Sequence, residues 1–162
     1  MRVSASRCDI SNPVAVRRWV GKVAKRFGRI DILLNNAAIL GPRVQLMDYP
    51  AADFEKVLRV NVLGALHVMR AVVDLSMARR RSGVIINVSS GAGRRGGPLG
   101  GAYAASKFAL EGLTQIAAAE MKSFGVAVFS LNPGVTRTAS APLGRQRRIR
   151  GRLSPRRLSG RT

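Results

Sequence analysis

Three short, almost unbroken apolar runs, set apart by stretches with helical spacing, limit what this chain can fold into more than any other feature. The runs are residues 30–34, 84–88 and 126–131. They are too short for core helices and rich in Val, Ile and Leu, so they read as strands. A strand with one wet face alternates apolar and polar residues, whereas one covered on both faces is apolar throughout. Before the first run, Asn12-Pro13 supplies a helix cap and a proline at the first helical position. Val16, Trp19, Val20, Val23 and Phe27 then recur at helical steps until Gly28. A second helix is predicted over residues 51–80, with Phe54, Val57, Leu58, Ala65, Met69 and Val72 near one face and a break at Ser82-Gly83. A third is predicted over residues 102–123. Helix and strand alternate, which means a parallel sheet with crossover helices on both faces, an α/β doubly wound fold. Residues 1–8 read as the end of a further strand.

The chain has 162 residues, 46% of them hydrophobic, enough for one domain with a core. Its 28 Lys plus Arg against 8 Asp plus Glu give a net charge of +20. Such an excess points to nucleic acid or an anionic surface when the charges share a face. Here eight Arg and no acid fall in residues 139–162, where Arg, Gly, Ser, Pro and Leu follow neither period. That stretch is expected to be disordered. Arg-rich, Lys-poor text is also what a GC-rich coding region yields in a shifted frame. The remaining basic residues are scattered in small groups, so nucleic acid is not an expected partner. The apolar stretch at 60–73 is interrupted by Asn61, His67 and Arg70 and falls short of the ~20 residues a membrane span needs. The N-terminus has no apolar signal region, and one cysteine, Cys8, makes no intrachain disulfide. A cytoplasmic chain, without membrane or metal, is the expectation.

Residues 91–96, Gly-Ala-Gly-Arg-Arg-Gly, match G-x-G-x-x-G after a strand, and Glu111 lies twenty residues beyond Gly91. A dinucleotide fingerprint must open a helix at once, so that the helix N-terminus faces the pyrophosphate. Gly97, Pro98, Gly100 and Gly101 postpone the helix to about Ala102, and Glu111 falls inside it. The segment therefore reads as a loop beside a site.

Tyr103 and Lys107 are four residues apart on the predicted third helix and share a face. An ammonium beside a phenol favours the phenolate, and such a phenol exchanges protons with alcohols and carbonyls. The spacing alone is common on helix surfaces; the setting adds weight. Ser89 and Ser90 close the strand at 84–88, Asn35-Asn36 the one at 30–34, and Asn132-Pro133-Gly134 the one at 126–131. Ligands bind at the carboxyl ends of parallel strands. Asn61 interrupts an apolar helical stretch, where an amide requires partners. Each residue also has a plain structural alternative. Asp9 can be a turn acid, Asn36 a strand-end turn residue and Asn61 an amide bonded to backbone. Ser89 and Ser90 can cap the loop, and Thr136 and Thr138 can satisfy loop amides. His67, alone in a helix, reads as structural, and Trp19 and Phe54 as core.

Taken in order, these motifs resemble the short-chain dehydrogenase/reductase family over about residues 8–138. Cys8-Asp9-Ile10 is similar to the segment after the family's third strand, where an acid meets the adenine. Residues 35–38 are similar to its N-N-A-G, with Ala38 in place of the glycine. Asn61 falls at the family's catalytic asparagine, and Ser90, thirteen residues before Tyr103, at its catalytic serine. Tyr103-Ala104-Ala105-Ser106-Lys107 matches Y-x-A-S-K. Pro133-Gly134 with Thr136 and Thr138 resembles the loop that holds the nicotinamide amide. The resemblance implies a Rossmann-like fold and NAD or NADP as cofactor. It implies hydride transfer between the nicotinamide and a small-molecule carbonyl or alcohol substrate, with Tyr103 moving the proton. Lys107 would tune Tyr103 and hold the nicotinamide ribose. Ser90 would position the substrate oxygen, and Asn61 would hold a water in a proton relay. Asp9, Asn36 and Ala37 would line the adenosine side. Family members assemble through the helices that correspond to 51–80 and 102–123, so a homo-oligomer is implied.

The family's opening strand, T-G-x-x-x-G-x-G turn, helix and second strand have no counterpart in this sequence, nor does its last strand. The expectation is an incomplete Rossmann-like doubly wound sheet over residues 1–138, a fragment that carries the catalytic residues but not the pyrophosphate turn. The disordered Arg-rich tail, 139–162, follows it. Alternatives from other classes are a basic nucleic-acid-binding protein acting through that tail, and a helix-mediated assembly protein without catalysis.

Overall fold

The computed structural model describes residues 3–134. Thr136, Thr138 and the Arg-rich tail at 139–162 lie outside the described residues. Six main elements follow in order: α1 (Pro13–Phe27), β1 (Ile32–Asn35), α2 (Ala51–Arg80), β2 (Gly83–Val88), α3 (Gly101–Met121) and β3 (Val126–Leu131). Short 3-10 turns lie at Leu46–Asp48, Gly91–Gly93 and Lys122–Phe124. The start of α1 follows from its cap. Asn12 Oδ1 accepts the N–H groups of Val14 and Ala15, each at 3.0 Å, and Pro13 takes the position where a missing N–H costs nothing. At the other end the Gly28 N–H closes on the Ala24 carbonyl.

The strands are parallel in the order β1-β2-β3, with Leu33, Ile85 and Val128 side by side across the sheet. These three point into a core shared with Val16 and Val20 of α1 and with Val68, Met69, Val72 and Met77 of α2. The flanking registers, Ile32–Val84–Ala127 and Leu34–Ile86–Phe129, point the other way. There Ile32 is 64% and Leu34 55% exposed. The helices thus cover one face, and among the described residues no helix lies on the other. The parallel α/β architecture is as expected, but the cover on both faces is met on one face only. For α2 and α3 handedness supplies the reason. Two right-handed crossovers that step in the same direction, β1 to β2 and β2 to β3, place their helices on the same side.

Two further details depart from the sequence reading. Residues 3–9 form no helix or strand; Trp19 Nε1 donates to Ser6 Oγ at 2.9 Å and holds the segment against α1. Helix α2 is not regular, because residues Arg59–Gly64 and Val73–Met77 wind as π-helix. It is long and apolar enough to cross a bilayer, yet half of its most apolar window is buried within the fold.

Candidate active site

Parallel pairing brings the carboxyl ends of all three strands to one edge of the sheet, and α3 begins beside that edge. Its burial pattern turns Ala102, Ser106, Lys107 and Leu110 inward. Lys107 is only 4% exposed. Its Nζ donates to the carbonyl of Val88, the last residue of β2, at 2.7 Å, leaving two further N–H groups free. The same Nζ lies 5.6 Å from the centroid of the half-buried Tyr103 ring, one turn earlier. Burial holds the Lys107 ammonium below its ordinary 10.5.

Asn61 sits in the first π-helical turn of α2, 2% exposed. Its Oδ1 accepts the Ile39 N–H at 2.8 Å, while Nδ2 donates to the Ile39 carbonyl and to Ser106 Oγ, both at 2.9 Å. Both amide hydrogens are therefore engaged, which is the plain structural alternative raised by the sequence. The amide ties the loop after β1 to α3. Ser106 passes the tie on, donating to the Tyr103 carbonyl at 2.7 Å. π-bulges inside α-helices are frequent at functional sites.

Ser90 follows β2, and its Oγ accepts the Ala92 N–H at 3.2 Å, so its own proton is free to donate outward. The glycine loop is no phosphate cradle. Gly91–Gly93 forms a 3-10 turn, and Gly93 is buried where a Cβ would stand 2.9 Å from the Lys107 carbonyl oxygen. Glycine is required there because the loop passes directly over α3.

Asn36 and Ala37 are exposed just past β1. A cleft of about 110 Å³ joins them to Ile10, which brings the Asp9 segment to the end of that strand. Asp9 Oδ1 accepts both the hydroxyl and the N–H of Ser11, and these bonds hold its carboxyl below the usual range. Its second oxygen has no such partner. Pro133 and Gly134 turn the chain out of β3, with the Gly134 N–H on Asn132 Oδ1 at 3.1 Å. His67 has a structural contact, Nδ1 to the Ile10 carbonyl at 3.1 Å.

Asn87, Thr114 and Ser130, which the sequence did not single out, join Asn35 and Glu111 in holding this edge together. Asn35 donates to Asn87 Oδ1 at 2.9 Å, and Asn87, fully buried, donates to Thr114 Oγ1 at 2.9 Å. The chain of amides fastens β1 to β2 and β2 to α3. Its signal was an asparagine inside an apolar strand, which must find partners. Glu111 Oε2 accepts from Ser130 Oγ at 2.8 Å. The Ser89 hydroxyl contributes most to holding the Glu111 carboxyl low, ahead of Ser130 and Arg94, while burial opposes them. Ser89 Oγ and Glu111 Oε1 nevertheless fall short of hydrogen-bond geometry, and both are buried without partners.

A parallel α/β sheet with a tyrosine and a buried lysine one turn apart at its carboxyl edge defines a class, that of the short-chain dehydrogenases. The chain belongs to that family: the profile described as "short chain dehydrogenase" matches residues 1–148. It is 42% identical over 137 residues to the sex determination protein tasselseed-2 of Zea mays, covering 82% of this chain and 40% of that protein. It is 38% identical over 130 residues to an NADPH-dependent pterin aldehyde reductase of Arabidopsis thaliana, covering 80% and 53%. Among solved structures it resembles an NAD+-bound xylitol dehydrogenase, with TM-score 0.76 and 40% identity over 78% of this chain and 48% of that one. It also resembles ElxO with NADP bound, with TM-score 0.81 and 32% identity over 85% and 55%. The chain spans about half the length of the relatives it matches.

Proposed function

We propose that this chain carries the proton-transfer half of an NAD(P)-dependent oxidoreductase that interconverts a small-molecule carbonyl and its alcohol. The observation that carries it is the buried Lys107 ammonium, 5.6 Å from the Tyr103 ring at the carboxyl edge of the sheet. When bound, NAD or NADP supplies the hydride acceptor or donor. In reduction Tyr103 gives its phenolic proton to the substrate oxygen; in oxidation it takes that proton back. The Lys107 charge stabilises the anion that develops on the phenolic oxygen, and we assign its remaining N–H groups to the ribose hydroxyls. Ser90 donates to the substrate oxygen and fixes it within reach of Tyr103. Because the Asn61 side chain is engaged, its main-chain carbonyl is the group we assign to the relay water. We assign Asp9, Asn36 and Ala37 to the adenosine side and Pro133 and Gly134 to the nicotinamide amide; Thr136 and Thr138, assigned to the same loop by their sequence, lie outside the described residues.

The exposed Leu63, Phe108 and Ile116 of α2 and α3 support assembly of the chain with copies of itself, and we place it in the cytoplasm. Nucleic-acid binding is the less favoured reading. The test is titration calorimetry of the full chain with NAD+ and NADP+, together with reduction of a panel of small aldehydes and ketones followed at 340 nm. Cofactor binding with turnover is expected, and Tyr103→Phe is expected to lose roughly 10²–10⁴-fold in kcat while still binding cofactor. Absence of both binding and turnover in the wild type would overturn the proposal.

A further inference from the structure

The turn that launches α3 is strained. Leu99 at φ +61° and Gly101 at φ +38° both lie in the left-handed region, immediately before Tyr103. A leucine persists there only where its surroundings enforce it. The group that meets this turn is Tyr49. A Cβ on Gly101 would stand 2.3 Å from the Tyr49 Cε2 atom and 2.7 Å from Cδ2. The far end of the same ring reaches the loop after β1. A Cβ on Gly41, at φ +71°, would stand 2.3 Å from the Tyr49 hydroxyl and 2.8 Å from Val57 Cγ2. Phe54, in the first turn of α2, meets the ring edge-on, with centroids 5.5 Å apart at 84°. Two glycines thus clear the space that one ring fills. The Tyr49 hydroxyl is buried without a hydrogen-bond partner, so the ring acts by shape. Burial, and after it the Asp53 charge, raises its pKa and keeps the phenol neutral.

We propose that Tyr49 is a positioning residue for the reaction: wedged between Gly41 and Gly101, it fixes the first turn of α3 and so the aim of Tyr103. The proposal rests on Tyr103 as the proton donor, but its test does not require turnover. The chain has only two tyrosines. In ring-¹³C-tyrosine-labelled protein, Tyr49→Phe or Tyr49→Ala therefore leaves Tyr103 as the sole signal, and Tyr103→Phe identifies the Tyr49 signal in the wild type. Tyr49→Phe keeps the ring shape and should leave the Tyr103 signal at its wild-type shift, with kcat within about twofold. Tyr49→Ala should shift or broaden that signal and lower kcat at least tenfold, with the Kd for NADPH within about threefold. If Tyr49→Ala loses its helical circular dichroism, Tyr49→Leu, which retains apolar bulk without the ring, is read with the same expectations. A Tyr103 signal unchanged in the folded Ala or Leu variant overturns the proposal, as does a Phe variant as disturbed as the Ala one. A wild type that reduces nothing counts against the oxidoreductase alone, because the ring signal still decides the role of Tyr49.

Discussion

Lys107 shows how much a single residue can depend on what lies behind it. The sequence places it one turn from Tyr103, but the ammonium works as proposed only if it is held, and the Val88 carbonyl holds it. Burial makes the charged form less favourable in the folded chain than in the unfolded one. The unfolded chain then binds the proton more tightly, so stability rises with pH from the folded value toward the ordinary 10.5, where the gain is complete. Lys107→Met removes this slope. Urea midpoints measured at about pH 7 and about pH 9.5 should rise in the wild type relative to the variant; parallel behaviour of the two proteins would show that Lys107 is not buried as charge. Asn61 was legible as an odd polar residue in an apolar helix, and Tyr103, Lys107 and Ser90 by their spacing. Asn87 was not singled out, since an asparagine in a strand carries no spacing of its own, and Ser106 was named only as a position of the Y-x-A-S-K match, without a contact. Only packing shows that each joins two elements.

Elements were read well in kind and less well in detail. All three helices and three strands lie close to their expected places, because apolar periodicity reports directly on which side chains are buried. The π-helical turns of α2 could not be read, for they are insertions of register rather than of composition. They matter because the first one carries Asn61, which joins α2, the loop after β1 and α3 through Ile39 and Ser106. Asn61→Ala leaves these partners unsatisfied in a buried place and should lower stability by about 3 kcal/mol in urea unfolding. The m-value should be unchanged, since the surface exposed on unfolding is nearly the same. A loss below about 0.5 kcal/mol would mean that water replaces the amide without cost.

The whole molecule has one covered and one uncovered sheet face among its described residues. Ile32, Leu34, Phe129 and Leu131 on the strands are each well exposed, and β1 pairs only with β2. Apolar surface of this kind marks a place for contact. The native chain should therefore bind the dye ANS, and Leu34→Thr combined with Phe129→Thr should at least halve the fluorescence at unchanged circular dichroism. An unchanged dye signal would place the apolar surface elsewhere. The strands had looked doubly covered because both of their faces are apolar, and composition registers what a surface is suited to bury, not what lies on it. The order of motifs along the chain was enough to specify a parallel α/β fold, the family, and the tyrosine and lysine at its centre, since periodicity and spacing are local properties. The face taken by the helices, the amide chain beneath the strand ends and the ring of Tyr49 against Gly101 depend on residues far apart in sequence, and only folding brings them into contact.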